Sequence, residues 1–144
     1  MILRYSIFAL ITFLSFTIQA QVQHLATWSD AVDLVNNSAV EFTKGNFEEA
    51  YAILQPSWPI ASEDIERVVM RTQDLMPDVL DQYGNMTDHF ILRETLVGEH
   101  LGRLEVLIRG EVYGIRLVYE FYKSPQGWLL SSFLWNERLG DFYD

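Results

Sequence analysis

The chain has 144 residues, no cysteine and a formal net charge of −10 at pH 7. Without cysteine it can form no disulfide, thiolate nucleophile or Cys-ligated zinc site, so packing alone must hold the fold together. The excess of acid repels a phosphate backbone, so we expect no nucleic-acid partner. Aromatic residues make up 14% of the chain and can supply the packing.

Residues 1–20 have the form of a secretory signal peptide. Arg4 supplies the positive charge, residues 6–18 are uncharged and mostly apolar, and Ala20 is a small residue of the kind that precedes a cleavage site. The apolar stretch is shorter than the roughly 20 residues that a membrane-spanning helix needs. We therefore predict cleavage before Gln21, export to the periplasm or the medium, and no membrane span in the mature chain.

The remaining residues 21–144 fit one domain that begins with three helices. Apolar residues recur at helical spacing over residues 28–44, which predicts the first helix. Thr27 and Asp30 have the spacing of a capping box at its start.

Two further helices follow the first. Asn46 can cap a short second helix, which must end before Pro56. Ser62 opens a third helix, whose apolar stripe continues through Pro77 to Tyr83. We expect a kink at this proline rather than a stop, because proline removes one backbone hydrogen bond without erasing the apolar face.

The second half of the chain has the pattern of β-strands. Four segments rich in apolar, β-branched and aromatic residues are separated by glycine signals, at about residues 89–97, 102–110, 112–123 and 127–137. Connections this short allow only antiparallel pairing, so the strands form a meander. The expected fold class is α+β, with the three helices packed on one face of a curved four-stranded sheet.

Turn positions predict how these strands pair. If Gly110 and Glu111 form the second turn, Glu105 lies directly across from Arg116 on the outer face of the sheet. The closing hairpin then pairs Arg116 with Trp135 on that same face, which gives both an ion pair and a cation–π contact.

The element order and two short phrases carry a resemblance to a known family. The phrases are residues 45–51, Gly-Asn-Phe-Glu-Glu-Ala-Tyr, and the hairpin at residues 119–130 with its Tyr-Lys-Ser-Pro-Gln-Gly-Trp turn. Over residues 26–140 the chain resembles the nuclear transport factor 2-like superfamily, which includes SnoaL-like and ketosteroid isomerase-like proteins. This resemblance implies a cystatin-like cone and a small exported member of unknown function. The catalytic motifs of the superfamily have no residue-by-residue match, so the resemblance implies no activity.

The predicted inner face of the sheet holds a candidate ligand site. With Gly98 opposite Gly102, Glu94 points into the cup, where burial would raise its pKa and let it act as a general base. A shift of one residue would instead place Glu94 on the outer surface beside Arg103. The other polar residues predicted on the inner face, where they would bind a small apolar ligand, are Tyr113, Tyr119, Ser132 and Asn136.

The predicted outer face is a candidate interface, because it mixes arginine with aromatic residues. Members of the superfamily often dimerise through this surface, so a homodimer or an envelope protein is the expected partner. Solvated cross-strand pairs are the alternative. The interface residues predicted here are Arg103, Arg116, Tyr122, Phe133 and Trp135.

No metal or cofactor motif is evident, because His24, His89 and His100 lack ligand spacing. The favoured function is that of an exported, non-catalytic binding module for a small apolar ligand or a protein partner. One alternative is a small-molecule isomerase or dehydratase, with Glu94 as base and a tyrosine as donor. The other is a structural accessory subunit of an envelope complex.

Overall fold

The structure, a computed structural model, describes residues 21–144; the predicted signal peptide lies outside the described residues. The described part contains three α-helices, a four-stranded sheet and two short 3-10 turns. The helices are α1 (Trp28–Thr43), α2 (Phe47–Leu54) and α3 (Ser62–Tyr83). The strands are β1 (Met86–Val97), β2 (Leu101–Gly110), β3 (Gly114–Ser124) and β4 (Gly127–Asn136). The 3-10 turns are η1 (Gln55–Ser57) and η2 (Leu139–Phe142).

The predicted α+β class and antiparallel meander are confirmed. The strands lie in the order β1-β2-β3-β4, and each pairs with the next in antiparallel orientation. One hydrophobic cluster joins the buried stripes of the helices to one face of the sheet. Leu104, Val106 and Ile108 of β2 are fully buried in it, which identifies this as the inner face.

The helices begin and end close to their predicted limits. Thr27 and Asp30 form the predicted capping box: the Thr27 hydroxyl accepts from Asp30 N at 3.1 Å, and the Asp30 carboxylate accepts from Thr27 N at 2.9 Å. Asn46 is the N-cap residue of α2, as predicted, but its side chain makes no capping bond and instead donates to Glu41 at 2.8 Å. Helix α3 continues through Pro77, as its apolar stripe predicts.

The pairing of β2 with β3 differs from the prediction by two residues. The last pair is Arg109 with Gly114, so four residues rather than two lie between the paired positions, and in this loop Val112 N donates to Tyr83 O at 2.9 Å and Glu111 N to Asn85 O at 3.1 Å. Glu105 therefore lies opposite Val118, and its ion pair with Arg116 is diagonal. A shift of two keeps every side chain on its predicted face.

The pairing of β3 with β4 contains a bulge that sequence pattern did not predict. Phe121 pairs with Leu130, but the next pair is Glu120 with Ser132, which leaves Ser131 without an opposite residue. The extra residue reverses the alternation beyond it. Trp135 consequently lies opposite Leu117 on the inner face, and the predicted pair of Arg116 with Trp135 is wrong.

The outer face carries a buried charge cluster under the C-terminal turn η2. Glu105 is fully buried, and its carboxylate accepts from Arg116 Nε at 3.0 Å. Its other oxygen lies 3.3 Å from Arg93 Nη1, without the alignment of a hydrogen bond. Asp141 lies 3.3 Å from Arg116, and the Phe142 ring covers the same guanidinium. The C-terminal turn is therefore fixed to the sheet by charge as well as by packing.

Candidate functional site

A cleft of about 920 Å³ lies between α3 and the end of β4. Its volume lies within the range of small-molecule sites. Five aromatic rings line it, from α2, α3, the β2–β3 loop and β4: Tyr51, Tyr83, Tyr113, Phe133 and Trp135.

The β4 bulge is what positions the aromatic wall of this cleft. Because Ser131 is extra, Phe133 and Trp135 point toward the helices instead of away from them. Phe133 is buried and packs edge-on against Tyr51, with 5.1 Å between ring centroids. Trp135 is half-buried and continues that wall toward the solvent.

A chain of three polar groups crosses the floor of the cleft. Trp135 Nε1 donates to Thr72 Oγ1 at 3.0 Å, and the same oxygen lies 3.0 Å from the Tyr51 hydroxyl. Tyr51 is 3% exposed and Thr72 is 2% exposed. Burial raises the pKa of Tyr51, and the hydrogen bond with Thr72 only partly opposes this, so the phenol stays protonated at neutral pH.

The rim of the cleft is more polar and more open. Tyr83 and Tyr113 lie against each other with ring centroids 4.9 Å apart, held together because the β2–β3 loop is hydrogen-bonded to the end of α3. Loss of solvent around Tyr83, with Glu137 and Tyr113 nearby, raises the pKa of this phenol. The charged side chains of the lining are two basic and two acidic: Arg71, Arg138, Asp78 and Glu137.

The predicted ligand-binding residues are only partly together. Tyr113 and Asn136 line the cleft. Asn136 does so from the position opposite Arg116 on the outer face, so its predicted inward orientation is wrong because of the bulge. Tyr119 faces inward but is fully buried, with its hydroxyl 3.2 Å from Ser38 Oγ and its ring stacked on Phe133. Ser132 pairs with Glu120 on the outer face, so its predicted inward orientation is wrong because of the bulge. The predicted cup is filled by the core, and the accessible opening lies to one side of it.

Glu94 does lie on the inner side, opposite Leu104. Its side chain is exposed near the sheet edge, where the carboxylate accepts a hydrogen bond from Trp28 Nε1. It does not line the cleft. The hydrophobic desolvation that a catalytic carboxylate would need is missing at this position.

The predicted interface residues are also only partly together: some are exposed on the outer face and the others are buried or on the inner face. Arg103 and Tyr122 are exposed on the outer face, and Arg103 forms an ion pair with Glu120 at 2.6 Å. Phe133 and Trp135 were predicted on this surface and lie on the inner face instead. Arg116 is on the outer face but is buried under the C-terminal turn. The predicted surface is therefore smaller than its sequence pattern indicated.

Sequence reasoning did not identify Tyr51 and Thr72 as site residues, because each lies on the face of its helix that packs into the core. The signal was that each is a polar member of an otherwise apolar stripe. A buried hydroxyl needs a partner, and two such hydroxyls on packed helices can partner each other.

Within residues 21–144, no group of three or more histidine, aspartate and glutamate side chains is arranged to hold a metal ion. Nor is any helix of this part both long and apolar enough to cross a bilayer. Comparisons with protein-family models, with curated proteins and with solved structures found no significant match.

Proposed function

We propose that this protein is a non-catalytic binding module for a small apolar ligand, which occupies the cleft between α3 and β4. The observation that carries this proposal is the combination of an aromatic wall with a short buried polar chain at its base. Aromatic surface supplies affinity, and a few fixed polar groups supply orientation. The balanced charges of the rim favour an uncharged ligand.

The catalytic alternative receives less support. A general base must be within hydrogen-bond reach of the proton that it removes. Glu94 is exposed, bonded to Trp28 and outside the cleft, while the Tyr119 hydroxyl is enclosed with Ser38. We expect Glu94→Gln to leave both the fold and ligand affinity unchanged, since glutamine retains an acceptor for the indole.

Blocking the cleft from its rim tests the proposal without disturbing the core. Leu75 lines the cleft and is 44% exposed, so Leu75→Trp adds bulk at the mouth. The matched control is Met70→Trp, which makes a similar change on the same helix outside the cleft. The probe is N-phenylnaphthylamine, a neutral apolar fluorophore.

The wild-type protein should bind this probe saturably with one site. Leu75→Trp should weaken binding about tenfold or more, the effect of losing about 1.4 kcal/mol of contact. Met70→Trp should leave the affinity unchanged. Absence of saturable binding, or equal affinities in the wild type and Leu75→Trp, would refute the proposal.

The fold family and the export of this chain are further proposals. The order of three helices and four strands supports a nuclear transport factor 2-like cone. The charge and apolar pattern of residues 1–20 supports export to the periplasm or the medium. N-terminal sequencing of the native protein tests the second proposal: a chain beginning at Met1 would contradict it.

A further inference from the structure

The three polar groups at the floor of the cleft have more hydrogens available for donation than hydrogen bonds that use them. The Trp135 indole, the Thr72 hydroxyl and the Tyr51 hydroxyl each carry one hydrogen that can be donated. Two hydrogen bonds join these three groups. One hydrogen therefore remains without an acceptor among residues 21–144, in a place where the two hydroxyl residues are almost completely buried.

Neighbouring backbone groups do not accept this hydrogen. Thr43 donates to the carbonyl of Ala39 one helical turn earlier, at 2.7 Å, but Thr72 makes no such bond among the hydrogen bonds of residues 21–144.

The other buried tyrosine provides the contrast. Ser38 donates to Ala50 O at 3.0 Å, so Tyr119 can donate to Ser38 and both hydrogens are used. Of the two buried tyrosine–hydroxyl pairs, only the one at the cleft therefore has a hydrogen left over.

The direction of the hydrogen bonds among these three polar groups indicates which group holds the free hydrogen. Thr72 accepts from the indole of Trp135, and a hydroxyl that accepts a hydrogen bond becomes a better donor. The cooperative arrangement runs from Trp135 to Thr72 and from Thr72 to Tyr51. It ends at the Tyr51 hydroxyl, whose hydrogen is then available to the cleft.

We propose that the ligand carries a neutral carbonyl oxygen, which accepts a hydrogen bond from Tyr51 while its apolar body lies against Phe133 and Trp135. This inference rests on the proposed function and specifies its ligand class. An anionic acceptor is disfavoured, because the two arginines of the cleft lining, Arg71 and Arg138, are matched by two acids, so the lining carries no net positive charge. A charge buried without a partner is costly.

Fluorene and fluorenone form a matched pair of probes, since they share a flat tricyclic body and differ by the carbonyl oxygen. Wild-type protein should bind fluorenone about fivefold more tightly than fluorene, which is the contribution of one neutral hydrogen bond. Isothermal calorimetry or displacement of N-phenylnaphthylamine measures the ratio. Fluorene carboxylate, the anionic member of the series, should bind more weakly than fluorenone.

Tyr51→Phe should reduce the ratio of fluorene to fluorenone dissociation constants to about one, with the affinity for fluorene itself retained. The control Tyr119→Phe removes a buried hydroxyl that is already satisfied, and it should keep the wild-type ratio. A preference for fluorenone that survives in Tyr51→Phe would overturn the assignment of the donor.

The infrared stretch of the fluorenone carbonyl provides a test that needs no variant. It should move to lower frequency on binding to wild-type protein, relative to its position in an apolar solvent. Binding of both probes with equal affinity and no shift would refute the carbonyl inference alone. Failure to bind either probe would refute the proposed function itself.

Discussion

Glu105 is the most deeply buried charge among the described residues of this protein, and two guanidinium groups depend on it. Glu105→Gln would leave Arg116 and Arg93 without their shared counter-charge. Breaking a buried pair from one side is strongly destabilising, because the buried Arg116 would keep only the partly exposed Asp141 as a counter-charge. We expect the free energy of unfolding to fall by about 3 kcal/mol, measured by urea denaturation.

Glu120→Gln is the matched control for this prediction. Glu120 pairs with Arg103 on the same face of the sheet, but both side chains are more than one-third exposed. Solvent screens such a pair, so the loss should be about 1 kcal/mol or less. Equal losses for the two variants would show that burial of the Glu105 cluster contributes nothing to stability.

Tyr119 makes stability sensitive to alkaline pH. Burial raises its pKa well above 10.0, the ordinary value of the unfolded chain. Above about pH 10 the unfolded chain loses this proton while the native protein keeps it, so stability falls as pH rises, with a slope of up to about 1.4 kcal/mol per pH unit. Stability below pH 10 is unaffected by this group.

Tyr119→Phe should flatten the decline of stability between about pH 10 and 11, measured by urea unfolding at each pH. The exposed Tyr122→Phe is the control and should leave the slope unchanged. Identical slopes in wild type and Tyr119→Phe would contradict the native-state burial of this phenol.

At the level of residues, alternation predicted side-chain orientation for Glu94 and Tyr119 but not beyond the β4 bulge, and it did not predict accessibility. Alternation along the strands correctly placed Glu94 and Tyr119 on the inner side. It could not indicate that Tyr119 is enclosed, because that depends on Ser38 and Phe133, which are distant in sequence. The buried partners of Tyr51 were equally hidden, since Thr72 and Trp135 come from two other elements.

Among the elements, β4 depends most on the number of its residues. Deletion of Ser131 would remove the unpaired residue and join the two halves of the strand in a regular ladder. Phe133 and Trp135 should still face inward. We therefore expect a folded protein that has lost about 1–2 kcal/mol of stability, as measured by thermal unfolding, because the strand loses its bend.

Deletion of Leu134 is the comparison for that variant. It removes one residue beyond the bulge, so Trp135 would move to the outer face and lose its bond to Thr72. Stability should fall by more than about 3 kcal/mol, since an aromatic wall and a buried polar chain are lost together. If the two deletions have the same effect, the bulge does not determine which way Trp135 points.

The helices and strands themselves were predictable from sequence, whereas their pairing was only partly so. Periodicity located all seven main elements, because each buries a repeating apolar stripe. The β2–β3 pairing was wrong by two residues because Glu111 and Val112 bond to the end of α3, a tertiary contact that local turn residues do not encode. The bulge at Ser131 has no glycine or proline to mark it.

At the scale of the whole molecule, the segment before α1 is hydrogen-bonded to both η1 and β4. Gln23 N donates to Pro56 O at 2.7 Å, and Leu25 exchanges two backbone hydrogen bonds with Trp128. A chain that begins at Thr27 would lose all three bonds. We expect it to be about 2 kcal/mol less stable than a chain that begins at Gln21, as measured by thermal unfolding.

The two truncated chains keep the same capping box, so helix α1 begins in the same way in both. Equal melting temperatures would mean that the segment is only loosely attached. A lower melting temperature for the chain that begins at Thr27 would show that residues 21–26 stabilise the fold. The proposed cleavage before Gln21 keeps all of these residues.

The general architecture followed from sequence, but the position of the cleft did not. An α+β sheet with helices on one face suggested a central cup. In the structure the centre is closed by aromatic packing of Phe42, Tyr119 and Phe133, and the opening lies between α3 and β4. Where a core closes depends on the summed volumes of side chains from all elements, which no single segment reveals.

The Ser131 bulge also bears on how binding specificity could change over evolutionary time. A substitution in the wall of the cleft alters one contact, whereas the gain or loss of one residue beyond Ser131 exchanges every wall position of β4 for its neighbour. A residue gained directly after Ser131 would place serine and leucine at the two wall positions, whereas the loss of Ser132 would place leucine and asparagine there. Under the proposed function, such a change would alter the ligand class that the cleft accepts, at a cost in stability like that expected for the Leu134 deletion.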